Sequence, residues 1–176
     1  MFLDDRVGAL FSEDRAYRYR LWRRWKPEEP SLVYVMLNPS TADEIDPDAT
    51  ITRCVERARR MGYGGIEVVN IFALRSTDPT ALYRHEAPVG PENDQHIIEV
   101  CLSAVQADGQ IIIAWGKHGA LRGRGADVRS MLDDRQIDTY ALVLNKDGSP
   151  KHPLYVPLDW EPVHVSPWAH QGGRAA

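Results

Sequence analysis

Three short runs, Ser31 to Leu37, Ile66 to Ala73 and Ile111 to Trp115, are too continuously apolar to be strands with one wet face. A half-exposed strand alternates apolar and polar residues, whereas a strand covered on both faces does not. Coverage on both faces is the condition of parallel strands in α/β proteins. Helical patterns fill the intervals. The first is predicted from about Pro47 to Met61, with Asp46 as N-cap, Pro47 at the first helical position, and Ile51, Cys54, Ala58 and Met61 at helical spacing. Others are expected over Asp94 to Val105 and Ala126 to Leu132, with a long irregular loop from Asp78 to Pro91, a strand over Thr139 to Leu144 and a turn at Asp147-Gly148. This alternation predicts a three-layer α/β/α sandwich around a mostly parallel central sheet, joined by right-handed crossovers.

A chain of 176 residues fits a single domain, 1–176. Within it we expect an α/β core over 31–160 and a C-terminal tail over 161–176. Ahead of the core, 1–30 is read as a basic and aromatic extension, with Ala16 to Trp25 as an edge strand or hairpin arm. With 43% hydrophobic and 26% charged residues the chain has enough apolar content to order throughout. Cys54 and Cys101 fall in helical patterns without C-x-x-C spacing, so a reducing compartment is expected and no disulfide is required. Met1-Phe2-Leu3 runs directly into Asp4-Asp5, and no apolar stretch is long enough for a signal peptide or a membrane span. The expected location is cytoplasmic, with no membrane partner.

The formal net charge of −4 does not suggest nucleic-acid binding, but basic residues are locally dense. Arg15, Arg18, Arg20, Arg23, Arg24 and Lys26 are interleaved with Tyr17, Tyr19, Trp22 and Trp25, and Arg53, Arg57, Arg59 and Arg60 share a helix. Such patterns neutralise phosphates and offer stacking faces, and they also describe an ordinary solvated hairpin and helix face.

The ends of the apolar runs carry the chemically interesting residues, where open α/β sheets bind their ligands. Asn38, followed by Pro39 and Ser40, has an amide able to hold a water, read a base edge or bond its own turn. Asn70 follows Ile66 to Val69 and offers paired donor and acceptor groups to an amide-like ring, or ties two loops together. Phe72, two residues on and therefore on the same strand face as Asn70, either stacks on a ring or joins the core. Trp115-Gly116 closes a third run, and His152 stands before Pro153 on a late loop with Leu154 and Tyr155. A braced histidine there can donate to negative charge developing on a substrate oxygen, or simply cap a turn.

Other chemistries lose support. There is no G-x-x-x-x-G-K-[ST] or G-x-S-x-G, and Gly119 to Gly125 lacks a dinucleotide fingerprint. The six histidines show no zinc-ligand spacing, so no metal and no cofactor are expected. Asp43, Glu44, Asp46 and Asp48 suit a magnesium ion or helix capping equally.

Taken in order, Asn38-Pro39-Ser40-Thr41-Ala42-Asp43, Asp46-Pro47-Asp48-Ala49-Thr50, Val69-Asn70-Ile71-Phe72-Ala73, Ala114-Trp115-Gly116 and His152-Pro153-Leu154-Tyr155 resemble the domain of unknown function 1643 family over nearly the whole chain. That family name carries no reaction. More distantly, Met36-Leu37-Asn38-Pro39, Val69-Asn70, Ile113 to Gly119 and His152-Pro153 are similar, in the same order, to four motifs of the uracil-DNA glycosylase superfamily. That resemblance implies a glycosylase-like fold, with Asn38 positioning a water, Asn70 binding the base edge and His152 stabilising the departing base anion. Met36 stands in the place of a glycine, Leu154-Tyr155 in that of Ser-Pro, and Asn38 in that of the aspartate some branches use. An amide orients water but cannot take its proton.

The function expected from the sequence is hydrolysis of an N-glycosidic bond, on a base in DNA or on a nucleotide. Asn38 and His152 would be catalytic, and Pro39, Ser40, Asn70, Phe72, Trp115, Gly116, Leu154 and Tyr155 would bind substrate. The alternatives are a nucleic-acid or nucleotide binding protein without chemistry, and a metal-assisted phosphate hydrolase built on the Asp43 to Asp48 cluster. If DNA is the partner, the basic clusters should border the pocket.

Overall fold

The apolar runs become the middle of a seven-stranded sheet. In the computed structural model, which describes residues 6–41 and 48–165, the strands are β1 (Val7–Phe11), β2 (Arg18–Arg24), β3 (Ser31–Met36), β4 (Gly65–Asn70), β5 (Ile111–Ile113), β6 (Thr139–Ala141) and β7 (Val163–Val165). They lie in the order β1-β2-β4-β3-β5-β6-β7. The four inner strands β4, β3, β5 and β6 are parallel, and β1, β2 and β7 are added antiparallel at the two edges.

Four α-helices connect these strands: α1 (Ala49–Arg60), α2 (Ala81–Arg84), α3 (Asn93–Gln106) and α4 (Arg124–Asp133). The sheet's two faces are covered by different helices. Ile51, Cys54 and Ala58 of α1 pack with Leu32, Tyr34, Ile66 and Val68. Ile97, Val100 and Cys101 of α3, with Val128 and Leu132 of α4, pack with Val33, Val35 and Val69. Successive residues of β3 and β4 thus go to opposite cores, which explains why both runs are apolar at almost every position. Each core takes one free cysteine, Cys54 or Cys101, and burial raises both thiols, Cys101 to about 12. Among the described residues no helix is long and apolar enough to cross a membrane.

Several boundaries differ from the sequence reading. Helix α1 is capped by Asp48, not Asp46: Asp48 has extended backbone and its Oδ1 accepts the Ile51 N–H at 2.8 Å. Asp43, Glu44, Asp46 and Pro47 lie outside the described residues. The stretch predicted to be an irregular loop contains the single-turn α2, and 161–176, read as a tail, supplies β7. The basic stretch is the inner arm of a hairpin, with β1 as its partner at the sheet edge.

The connections place the site. From β3 the chain crosses by α1 to β4, and then returns by α3 past β3 to β5. The helices that follow the adjacent strands β3 and β5 therefore lie on opposite faces. Their loops part at the carboxyl ends of those strands and leave a crevice, the usual ligand position in an open α/β sheet.

Candidate functional site

The ladder between β3 and β4 runs in register to Met36 and Asn70, and the two chains stay together past it: Ile71 N–H donates to the Met36 carbonyl and Phe72 N–H to the Leu37 carbonyl, both at 2.9 Å. Asn38 and Asn70 are thereby held at the same end of the sheet. The Asn38 amide nitrogen donates to the carbonyls of Ser76 (2.9 Å) and Pro39 (3.2 Å), with that of Leu74 at 3.4 Å. Three carbonyl neighbours settle which end of the amide is nitrogen, and leave Oδ1 as its free group. Asn38 therefore presents an acceptor and no donor.

Asn70 is different. Its side chain is only 2% exposed and its Oδ1 has no hydrogen-bond partner. Buried amide oxygens are almost always satisfied, so an orphan at a strand end is where a ligand donor belongs. The backbone beneath it is held from outside the site. The Asn93 amide donates to the carbonyls of Asn70 (2.8 Å) and Ile71 (3.2 Å), and Arg124 Nε donates to the Ile71 carbonyl (2.7 Å) while its guanidinium pairs with Asp94. The first turns of α3 and α4 thus lock the end of β4.

His152 arrives from the other side. After β6 the chain makes a small antiparallel return, with Leu144 bridging Pro150 and Lys151 N–H donating to the Val143 carbonyl at 2.8 Å. Gly116, at a positive φ of 71°, donates its N–H to the Pro150 carbonyl at 2.7 Å and pins this return to the end of β5. The Arg57 guanidinium donates to the carbonyls of Val156 and Pro157, and Arg53 to that of Val156, so α1 clamps the segment that follows. His152 Nδ1 accepts the Leu154 N–H at 3.4 Å, which leaves Nε2 to carry the proton. Burial pushes the ring below its ordinary pKa, with the Asp48 carboxylate partly opposing, so His152 is a neutral N–H donor at pH 7.

Asn38, Asn70 and His152 line one cleft of about 190 Å³, together with Arg18, Ser40, Asp48, Ser76 and Thr77 among others. Asn38 and His152 also form part of a second, larger cavity of about 440 Å³, which is completed by Trp115, Gly116, Lys117, Asn145, Lys151 and Tyr155 among others. The two spaces therefore meet at Asn38 and His152. Tyr155 is 68% exposed and offers a stacking face at the mouth.

The remaining expected residues fall as follows. Phe72 is wholly buried in the core on the α3 side and offers no face to a ligand, which corrects its reading as a stacking platform. Pro39 and Leu154 line neither cavity. Pro39 accepts the Ser76 N–H and the Asn38 side-chain amide through its carbonyl, and Leu154 supplies the N–H that orients His152. Ser40 reaches the small cleft and donates to Asp48 Oδ2 at 2.9 Å. The indole of Trp115 lies against Gly119 and Gly125, where an added Cβ would overlap it. Those glycines serve as a seat for Trp115.

The two charged residues of the cleft escaped the sequence reading as site residues. Asp48 was read only as one of an acidic run, and Arg18, just 4% exposed, as one of a basic cluster. The other basic residues are largely spent on the fold: Arg20 pairs with Glu67, Arg53 and Arg57 hold carbonyls, Arg59 stacks on Trp25 and Arg60 pairs with Glu56. Of both clusters only Arg18 lines the cleft, and Lys117 and Lys151 are the cations beside the larger cavity. Among the described residues, no group of three or more His, Cys, Asp or Glu side chains is placed to hold a metal ion.

No curated protein and no solved structure matches the chain. The model of a family described as a protein of unknown function (DUF1643) matches residues 18–154, and the chain belongs to that family.

Proposed function

We propose that this protein hydrolyses an N-glycosidic bond, using a uracil-DNA-glycosylase-like arrangement of strand-end residues. The observation that carries this reading is the meeting of Asn38 Oδ1, the buried unpartnered Oδ1 of Asn70 and the neutral His152 on one small polar cleft. The base enters the cleft, where the Asn70 amide supplies a donor and an acceptor to its edge. Asn38 Oδ1 accepts a hydrogen bond from a water and holds it on the sugar side. As the bond from the sugar to the ring nitrogen breaks, its electron pair passes to the base, and His152 Nε2–H stabilises the charge on a base oxygen. A neutral donor suffices for this step, because its strength is greatest when that charge has formed.

The substrate class we propose is a nucleotide in preference to duplex DNA. A DNA enzyme places many cations around its pocket to engage successive phosphates. Here Arg18 is the one arginine of the two basic clusters at the cleft, and Lys117 and Lys151 beside the larger cavity match one phosphate, with Tyr155 at hand for stacking. A binding protein without chemistry is the second reading, favoured by one feature: the Asn38 nitrogen is consumed by loop carbonyls, and its side chain cannot take a proton.

The test is release of free base, followed by chromatography, from a panel of nucleoside monophosphates and of oligonucleotides with normal and modified bases. Release that is unaffected by chelator is expected. Tight nucleotide binding with no release would favour the binding protein, and release abolished by chelator would favour a metal-assisted hydrolase.

A further inference from the structure

We propose that Asp48 is the proton acceptor for the attacking water, doing from the start of α1 what Asn38 cannot do from the end of β3. The inference rests on the N-glycosidic reading above and adds a catalytic residue to it. Asp48 is the carboxylate in the lining of the small cleft, which it shares with Asn38, Asn70 and His152. Its two oxygens are fixed in position: Oδ1 accepts the Ile51 N–H at 2.8 Å and Oδ2 accepts the Ser40 hydroxyl at 2.9 Å. An ionised carboxylate has about four acceptor sites, so two bonds leave room for a water. Its charge is felt at His152, the one residue that belongs to both cavities along with Asn38.

A capping aspartate is by itself an ordinary helix start. The unsatisfied Oδ1 of Asn70, buried in the same cleft, is the independent sign that a polar ligand sits there. With the base against Asn70 and His152, a water bridging Asn38 Oδ1 and the Asp48 carboxylate donates one hydrogen to each. Its oxygen attacks the sugar carbon as the bond to the ring nitrogen breaks. The water's proton passes to Asp48, the electron pair of the broken bond to the base, and the proton then goes on to the departing ring or to solvent. The charged and titratable groups facing Asp48 are Arg18 from β2, His152 from the late loop, and Cys54 on its own helix, which burial keeps a neutral thiol.

The chemistry is separable from the cap because asparagine caps a helix about as well as aspartate but accepts no proton. Asp48→Asn and, as a second cap-preserving variant, Asp48→Ser are compared with the parent in single-turnover base release, nucleotide affinity, urea unfolding and rate against pH. The expected result is folded variants with unchanged affinity and release slowed by roughly a hundredfold or more. The acidic limb of the parent profile should be absent in Asp48→Asn but retained, at a lower overall rate, in His152→Gln. A folded Asp48→Asn within about threefold of the parent overturns the assignment while leaving the glycosidic reading standing. A parent rate that does not fall on acidification overturns it whether or not either variant folds. A parent that releases no base from the whole panel overturns the reading and the assignment together.

Discussion

Asn70→Leu should make the free protein more stable and leave it unable to select a base. Asn70 is buried at the end of β4 with an amide oxygen that nothing satisfies. An unsatisfied buried acceptor costs about 1–3 kcal/mol, and an apolar side chain of similar shape removes that cost. Solvation of the amide nitrogen is lost at the same time, which trims the gain to about 1–2 kcal/mol. For a chain of this length, that raises the melting temperature by about 2–8 °C. Urea titration measures it directly: the midpoint should rise with the slope unchanged, since no change in the unfolded state is involved. Loss of a paired donor and acceptor should weaken base-specific binding by roughly a hundredfold or more. A fall in the urea midpoint would refute the reasoning, because it would mean that the Asn70 amide already holds the structure together without a ligand.

His152 makes a pH-dependent contribution whose sign follows from burial. Its folded pKa lies below the unfolded value near 6.5, so the unfolded chain binds the proton more readily, and stability is lost as pH falls from about 6.5 through the lowered folded value. His152→Gln should shrink the difference between urea midpoints at pH 7.5 and at acidic pH. His152→Ala should slow single-turnover release by roughly a hundredfold or more while nucleotide affinity changes little. Phe72→Ala should cost about 3–5 kcal/mol in urea unfolding, and Phe72→Leu should leave base affinity unaltered, because the ring is core and not cleft. Arg57→Met should cost about 1–3 kcal/mol, by removing the charge-assisted hydrogen bonds of the guanidinium to the Val156 and Pro157 carbonyls, without changing the salt dependence of nucleotide binding.

The strand ends were legible in the sequence because unbroken apolar runs have few alternatives in an α/β chain, and Asn38, Asn70 and Trp115-Gly116 followed from them. Phe72 was not legible for a specific reason. Alternation puts Asn70 with Ile66 and Val68 on the α1 side, and would put Phe72 there too, but β4 ends at Asn70. Ile71 and Phe72 then both join the core on the α3 side. Period-two reasoning fails at the first residue past a strand. Asp48 was hidden by its neighbours, since Asp46 before Pro47 satisfies the usual capping pattern equally well. Nor does the sequence say that Arg53 and Arg57 face the carbonyls of Val156 and Pro157, about a hundred residues away. A basic helix face in the sequence thus becomes, in the fold, the clamp behind His152. The short edge strands β1 and β7 carry too few residues for a pattern, and pairing with a neighbour defines them.

The most direct measurement is release of free base from nucleoside monophosphates by the purified protein, compared under single-turnover conditions with Asn70→Leu and His152→Ala. The parent should release base from a restricted set of nucleotides, His152→Ala should bind those nucleotides but release base far more slowly, and Asn70→Leu should be folded and fail to discriminate among them. Absence of base release from every nucleotide and oligonucleotide tested, or equal release by the parent and His152→Ala, would contradict an N-glycosidic hydrolase at this cleft.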